Sequence, residues 1–324
     1  ISTGVMENKA KSHTFKVGHS WSIPQTLDKL IEALREGWDI SISTSGSSGA
    51  PKEILLPASA MIFSARNSNE FLGAKPGDRW SLLLSPEHTA GLNVLVRSIE
   101  LGTSPVTVNE SADFTAIVPT QLFRALNGED KLLKHLQGCK AVLVGGAAAD
   151  SDLLAEAKAA GINCITTYGM TETSGGCIYN GVPLPGVEVR IGETIELKGP
   201  MLARVDLTDG YFATSDLGKF EDGKLIVLGR ADDVINSGGK KVSLSKVEKA
   251  LGESFAAFGT ENSEWGAALN IATSSQMSDE EIQLVLSVKF GVKALQIYRV
   301  SEIPRTALEK IDRQALIKLG KLPQ

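Results

Sequence analysis

Between Ser43 and Lys52 the chain reads S-T-S-G-S-S-G-A-P-K. Small hydroxyl residues, glycines and a terminal lysine suit an anion. Glycines let backbone amides come close, and successive N–H groups form an anion-binding nest. Hydroxyls donate hydrogen bonds, and the lysine adds positive charge. A polyphosphate fits this chemistry. The stretch is not a Walker A loop, because Pro51 separates the glycine from the lysine and Glu53 stands where Ser or Thr is required. Thr44, Ser45, Gly46, Ser47, Ser48, Gly49 and Lys52 are the candidate phosphate-binding residues. A solvated Ser/Gly linker is the competing reading of the same composition.

Five further stretches could do chemistry. In Tyr168-Gly169-Met170-Thr171-Glu172-Thr173, Thr171 can bond a phosphoryl oxygen, Glu172 can hold Mg²⁺ and Tyr168 can stack on a planar base. Asp216 ends the aromatic run from Tyr211 and could accept both hydroxyls of a ribose. In Gly229-Arg230-Ala231-Asp232-Asp233, Arg230 could bind ribose or phosphate and Asp232 could act as a pivot. Ser237-Gly238-Gly239-Lys240-Lys241 reads as a hairpin tip or as the wall of a channel for an anionic thiol carrier. Near the end, Lys310 could offset charge during attack at phosphorus. Taken singly, a solvated turn glutamate, a capping aspartate, a surface salt bridge and a solvated lysine explain the same residues.

These stretches need elements to position them. Pro24–Gly37 has helical apolar spacing and a glycine stop, and Trp38–Ile42 alternates like a strand. Helices are expected at 57–72, 88–99 (starting at a Gly91 bend), 121–126, 131–136, 151–160, 243–251 and 311–319. Strands are expected at 80–84, 107–108, 115–118, 141–144, 163–167, 187–191, 194–198, 224–228 and 281–289. Alternating strands and helices predict a parallel sheet, with ligands beyond the carboxyl ends of its strands. The Ser/Gly loop, Gly145-Gly146 and Tyr168-Gly169 would then share one rim. The shorter strands of 181–230 predict an antiparallel or barrel-like subdomain, and the tail a small α+β lid.

The 324 residues allow two or three domains. A hydrophobic share of 42% and a charged share of 22% belong to a soluble globular protein. A net charge of −5 argues against a general nucleic-acid binder. The three cysteines lack C-x-x-C spacing, and with four histidines they draw no zinc site or disulfide framework. A reducing cytoplasm is the expected location. No apolar run is long enough to predict a membrane span or secretion signal.

Thr44–Lys52, Tyr168–Thr173, Thr214–Asp216, Gly229–Asp233 and Pro304–Lys310 stand in the order and spacing of the adenylate-forming acyl-CoA synthetase superfamily, which the chain resembles over nearly its whole length. Within it the chain looks most like the o-succinylbenzoate–CoA ligases of menaquinone biosynthesis, through Val182–Arg190 and Leu228–Gly239. The resemblance implies an α/β fold with a large N-terminal domain (1–230), a barrel-like part near 181–230, and a small mobile C-terminal domain (231–324) hinged at Asp232. It implies ATP, Mg²⁺ and coenzyme A as ligands, with ATP or AMP held by Thr44–Gly49, Lys52, Gly146, Tyr168, Gly169, Met170, Thr171, Asp216 and Arg230. Glu172 would carry the metal, and Thr171, Glu172 and Lys310 would be catalytic. His88, Arg97, Gly145, Thr167 and Gly169 would meet the acyl substrate, and Ser237, Gly238 and Gly239 coenzyme A. His88 stands where the superfamily gates the acyl pocket. Arg97, a lone guanidinium in an apolar run, could pair with a second substrate carboxylate or snorkel to the helix surface. Small molecules are the expected partners, without nucleic acid or membrane, and a homodimer is left open. The chain departs from the pattern at Ser215 and Glu309, where the superfamily usually has glycine, and in its short stretch before the phosphate loop. Another acyl- or aryl-CoA ligase, a carrier-protein-loading enzyme and a nucleotide-binding protein without catalysis are the rival readings.

Overall fold

The computed structural model describes residues 13–18, 22–45, 51–262, 266–305 and 311–319, with the side chains of Ser45, Pro51 and Asp232 outside that description. Helix α1 (Ile23–Glu36) forms as expected. Ser22 and Gln25 cap it reciprocally, and Gly37 closes it in the left-handed conformation. Strands β1 (Thr14–Phe15), β2 (Asp39–Ser45) and β3 (Pro51–Pro57) make a three-stranded sheet in that order. The stretch before the helix expected at 57–72, for which the sequence predicts no element, is therefore a strand. Ile54 and Leu56 point inward at period two, which fixes that register. β2 and β3 are antiparallel neighbours in a sheet separate from the parallel one. Helix α2 (Ala58–Phe71) follows.

The central sheet comprises β4 (Trp80–Ser81), β5 (Phe114–Ile117), β6 (Ala141–Val144), β7 (Cys164–Met170), β8 (Gly175–Tyr179) and β9 (Val182–Pro183), in chain order. Its first four strands are parallel and its last two antiparallel. The helices between them are α3 (Thr89–Glu100), α4 (Pro119–Leu126), α5 (Asp130–Gly138) and α6 (Ser151–Ala159). β4 stops at Ser81, and Thr107–Val108 forms no strand; Val106 alone bridges to Ser81. Helix α3 starts at Thr89, so Gly91 lies inside it rather than bending its start. Tyr168 and Gly169 lie within β7, not beyond its end.

Residues 188–230 are antiparallel, as their short strands predict, but they split into two sheets. One holds β10 (Glu188–Ile191), β11 (Ile195–Lys198) and β12 (Phe212–Ala213); the other is the hairpin β13 (Asp216–Glu221) and β14 (Lys224–Arg230). The chain then builds β15 (Val234–Ser237), β16 (Lys240–Ser243), α7 (Leu244–Leu251), β17 (Phe255–Asn262), β18 (Gly266–Thr273), α8 (Asp279–Phe290), β19 (Gln296–Arg299) and α9 (Arg313–Leu319). These strands form one sheet, and the buried residues of the two cores here run from Val242 onward, with Ile235 packed against them, among the described residues. The expected strand at 281–289 is α8. Ile282, Leu284, Leu286 and Val288 alternate like a strand, yet Ser278 and Glu281 form a capping box and only Ile282 and Leu286 are buried, one helical turn apart.

Candidate active site

Thr44 faces Lys52 across the β2–β3 ladder, and the Thr44 hydroxyl donates to the Lys52 carbonyl at 3.2 Å. The flanks of the phosphate loop therefore meet, while Gly46, Ser47, Ser48 and Gly49 lie outside the described residues. β3 packs beside the single 3-10 turn Thr171–Thr173. The Ala203 amide bonds the Glu172 carbonyl at 2.8 Å, and the next residue, Arg204, forks onto Asp39 of β2 at 2.5 and 2.9 Å. The hairpin and the Thr171–Glu172 turn are thus stitched through one short segment.

The Glu172 carboxylate is half-buried and has no ion-pair partner among the described residues. Among those residues no group of three or more His, Cys, Asp or Glu could hold a metal ion. A single half-buried carboxylate without an ion pair among those residues suits Mg²⁺, which binds through one or two carboxylates plus substrate phosphates. Thr171 Oγ1 accepts from Thr89 Oγ1 at 3.1 Å, which ties the turn to the start of α3.

Among the residues expected to hold nucleotide, Tyr168 donates its hydroxyl to Asp216 Oδ2 at 2.8 Å, and Asp216 pairs in register with Arg230 across β13–β14. Tyr168, Asp216 and Arg230 are so brought together, with one Asp216 oxygen already engaged. Burial first, then the Asp216 carboxylate, pushes the Tyr168 phenol far above its ordinary range, which keeps it a neutral donor. Between Tyr168 and Gly169 the β7–β8 register shifts, and a Cβ at Gly169 would lie 2.1 Å from the Gly175 carbonyl oxygen. Only glycine allows this bulge. Met170 follows at the end of β7.

Among the residues expected to meet the acyl substrate, Gly145 follows β6 and abuts Thr167 of β7; a Cβ at Gly145 would lie 2.4 Å from Thr167 Oγ1. Gly146 follows with positive φ beside Val118. His88 is the half-buried residue before α3 and makes no side-chain cap. Arg97 stands nine residues on, about 13 Å along the helix axis at the usual rise. It is 3% exposed, so it does not snorkel to the surface. Its guanidinium lies 4.8 Å over the Trp80 ring and reaches the Tyr179 hydroxyl at 3.4 Å, and its Nε is buried without a partner. Burial pulls its pKa down, with the Tyr179 phenol opposing the shift. No carboxylate among the described residues balances the charge.

The remaining residues sit apart. Ser237 ends β15, and Gly238-Gly239 is a two-residue turn with positive φ at both positions leading into β16, so the hairpin-tip reading holds. Ala231–Asp233 is a single 3-10 turn between β14 and β15, its first amide bonding the Ser215 carbonyl. Lys310 and Glu309 lie outside the described residues. Burial raises Cys139 and Cys177 to about 12, so neither is a ready thiolate.

The sequence profile described as "AMP-binding enzyme" matches residues 40–200. A probable 2-succinylbenzoate–CoA ligase of Mycobacterium tuberculosis is 36% identical over 349 aligned residues, covering 92% of this chain and 90% of that one. The chain belongs to the AMP-binding enzyme family. Its fold is that of the family's adenylate-forming members. An o-succinylbenzoate CoA synthetase of Bacillus subtilis in complex with an acyl-adenylate intermediate superposes with a TM-score of 0.74 at 24% identity, over 88% of this chain and 69% of that one. The B. subtilis synthetase in complex with ATP and magnesium gives 0.72 at 23%, over 86% and 69%.

Sequence reading missed several residues of this AMP-binding enzyme. Thr89 and Asn93 are buried on α3, and Tyr179 and Ser68 pair at 2.8 Å beside Arg97. Ser174 holds a left-handed conformation with φ of 49° at the end of the Thr171 turn, its hydroxyl donating to the Met201 carbonyl. One signal was present: Asn93 and Arg97 are polar residues four apart in an otherwise apolar helix.

Proposed function

We propose that this protein joins o-succinylbenzoate to coenzyme A at the expense of ATP, giving the thioester, AMP and pyrophosphate, in menaquinone biosynthesis. The observation that carries the reading is Arg97: a family member built for a monocarboxylate has no use for a buried guanidinium without a counter-charge. A dicarboxylic acid supplies one, with one carboxylate anchored and the other activated.

In the first half-reaction the phosphates lie on Thr44–Gly49 and Lys52. Tyr168 stacks on the base, and Asp216 and Arg230 take the ribose, with Gly146, Gly169 and Met170 lining the nucleotide. A carboxylate oxygen of the acid attacks the α-phosphorus; the new P–O bond forms as the bridge to the β-phosphorus breaks and pyrophosphate leaves. Thr171 and Lys310 offset the charge on the phosphoryl oxygens. Magnesium held by Glu172 neutralises phosphate charge when bound. His88, Gly145, Thr167 and Gly169 form the acyl walls that orient the acid. In the second half-reaction the segment from 231 turns about Asp232, withdrawing Lys310 and presenting Ser237–Gly239 to coenzyme A. The thiol sulfur bonds the acyl carbon, the bond to AMP breaks, and the thiol proton passes to solvent.

The test is pyrophosphate release with ATP, Mg²⁺ and o-succinylbenzoate, followed by AMP and thioester formation on adding coenzyme A. Pyrophosphate with o-succinylbenzoate and one AMP per thioester is the expected result. Release of AMP that ignores free coenzyme A would point instead to a carrier protein as acceptor.

A further inference from the structure

Helix α3 carries a polar stripe of which the reaction scheme uses only Arg97. Thr89, Asn93 and Arg97 are spaced one turn apart, are 6%, 1% and 3% exposed, and share the face toward Thr171, Ser174 and Tyr179. Leu92, Val94, Leu95 and Val96 around them are fully buried and apolar. Asn93 Nδ2 donates to the Ser174 carbonyl at 2.8 Å. That bond fixes the amide's orientation, because a carbonyl only accepts. Asn93 Oδ1 is then left buried without a partner.

The fold does not need this arrangement. Ser64 Oγ also donates to the Ser174 carbonyl, at 2.9 Å, so that acceptor is satisfied without Asn93. Alanine at 93 would remove the orphaned oxygen and is the better helix former. Space is nonetheless kept for the amide: Gly175 has φ of 91°, and a Cβ there would lie 2.4 Å from Asn93 Nδ2. Two orphaned polar atoms thus stand one helical turn apart, an acceptor on Asn93 and a donor on Arg97. Buried unpaired groups in a native protein call for a reason beyond stability.

We propose that Asn93 is a specificity-determining residue, which with Arg97 forms a two-point subsite for the second carboxylate of the acyl substrate. Arg97 takes the carboxylate directly. Asn93 Oδ1 accepts from a water that donates its other hydrogen to the same carboxylate, so the anion is held at two points rather than one. The Tyr179 hydroxyl, itself paired with Ser68, keeps the guanidinium on this face. The inference rests on the dicarboxylate reading above and names a residue that reading does not use.

The experiment compares wild type, Asn93→Ala and Asn93→Asp with o-succinylbenzoate and with benzoylpropionate, which lacks the ring carboxylate. Asn93→Ala should raise KM for o-succinylbenzoate roughly tenfold, with kcat changed by less than about twofold, the loss of one water-mediated contact to the carboxylate. Its KM for ATP should hold and its Tm should stay level or rise. Asn93→Asp, which supplies Arg97 with a carboxylate in cis, should do worse than alanine with o-succinylbenzoate. Either variant should narrow the preference for the dicarboxylate. A wild type that ignores o-succinylbenzoate overturns the functional reading and this inference with it. A wild type that uses it while Asn93→Ala keeps its KM, or while both acids lose equally, overturns the Asn93 assignment alone.

Discussion

Two arginines in this molecule are both drawn into the protein and both leave a buried Nε without a partner, yet their surroundings differ. Arg313, at the start of α9, meets Asp233 at 2.8 Å and both Glu248 oxygens at 3.1 Å. Asp233 also accepts from the Ser245 amide and the Ser243 hydroxyl, and Glu248 accepts from the Ala257 amide. Arg97 has a phenol and an aromatic face, and no carboxylate. A cation balanced within the chain serves the fold; a cation left unbalanced is completed by something that arrives. Glu172 is the mirror case, a half-buried carboxylate without an ion-pair partner among the described residues.

The largest effect should fall on the unbalanced pair. Glu172→Gln should cut adenylate formation on the order of 100- to 1000-fold in a pyrophosphate-release assay, as loss of one transition-state contact does, while Tm holds. Arg97→Met should lower kcat/KM for o-succinylbenzoate on the order of 100-fold, from the roughly 2–5 kcal/mol that truncating one partner of a buried charge pair costs. Its Tm should stay level or rise, because an uncompensated buried cation has been replaced by an apolar side chain of similar size. Arg313→Met should do the reverse. Leaving Asp233 and Glu248 unbalanced should cost about 3–5 kcal/mol in denaturant unfolding, with KM for the acid little changed.

The smallest effect is a pH dependence. Desolvation raises Glu248 from its ordinary 4.5 to about 7, with Arg313 pulling the other way. In that window the folded state holds a proton the unfolded state has lost, so the group's contribution is present below about 4.5 and fades as pH rises to about 7. The stability gap between Glu248→Gln and wild type should therefore move in favour of the variant across that window and stay flat outside it. A gap that moves the other way would mean Arg313 outweighs burial there.

The residues proposed to hold the nucleotide were legible as linear motifs, because the residues of each motif stand close together in the chain. The hairpin flanking the proposed phosphate loop was not, since β3 opens with proline and, among its described side chains, buries Ile54 and Leu56 alone. Helix α8 was misread because its apolar residues alternate, and the deciding capping box precedes them. The acyl side was half legible. Arg97 stood out as a charge in an apolar run, but its burial depends on Trp80 and Tyr179, 17 positions before it and 82 after it. Asn93 offered only its spacing to Arg97 as a signal, because an unpaired amide oxygen exists only once its surroundings are assembled.

The ratio of kcat/KM for o-succinylbenzoate to that for benzoylpropionate, measured for wild type and Arg97→Met, tests the central claim most directly. A strong wild-type preference for the dicarboxylate that collapses toward unity in Arg97→Met, with Tm level or higher, is the predicted result. A ratio that survives the substitution, or a variant that loses Tm along with both activities, would contradict the claim that this buried charge is kept for the substrate.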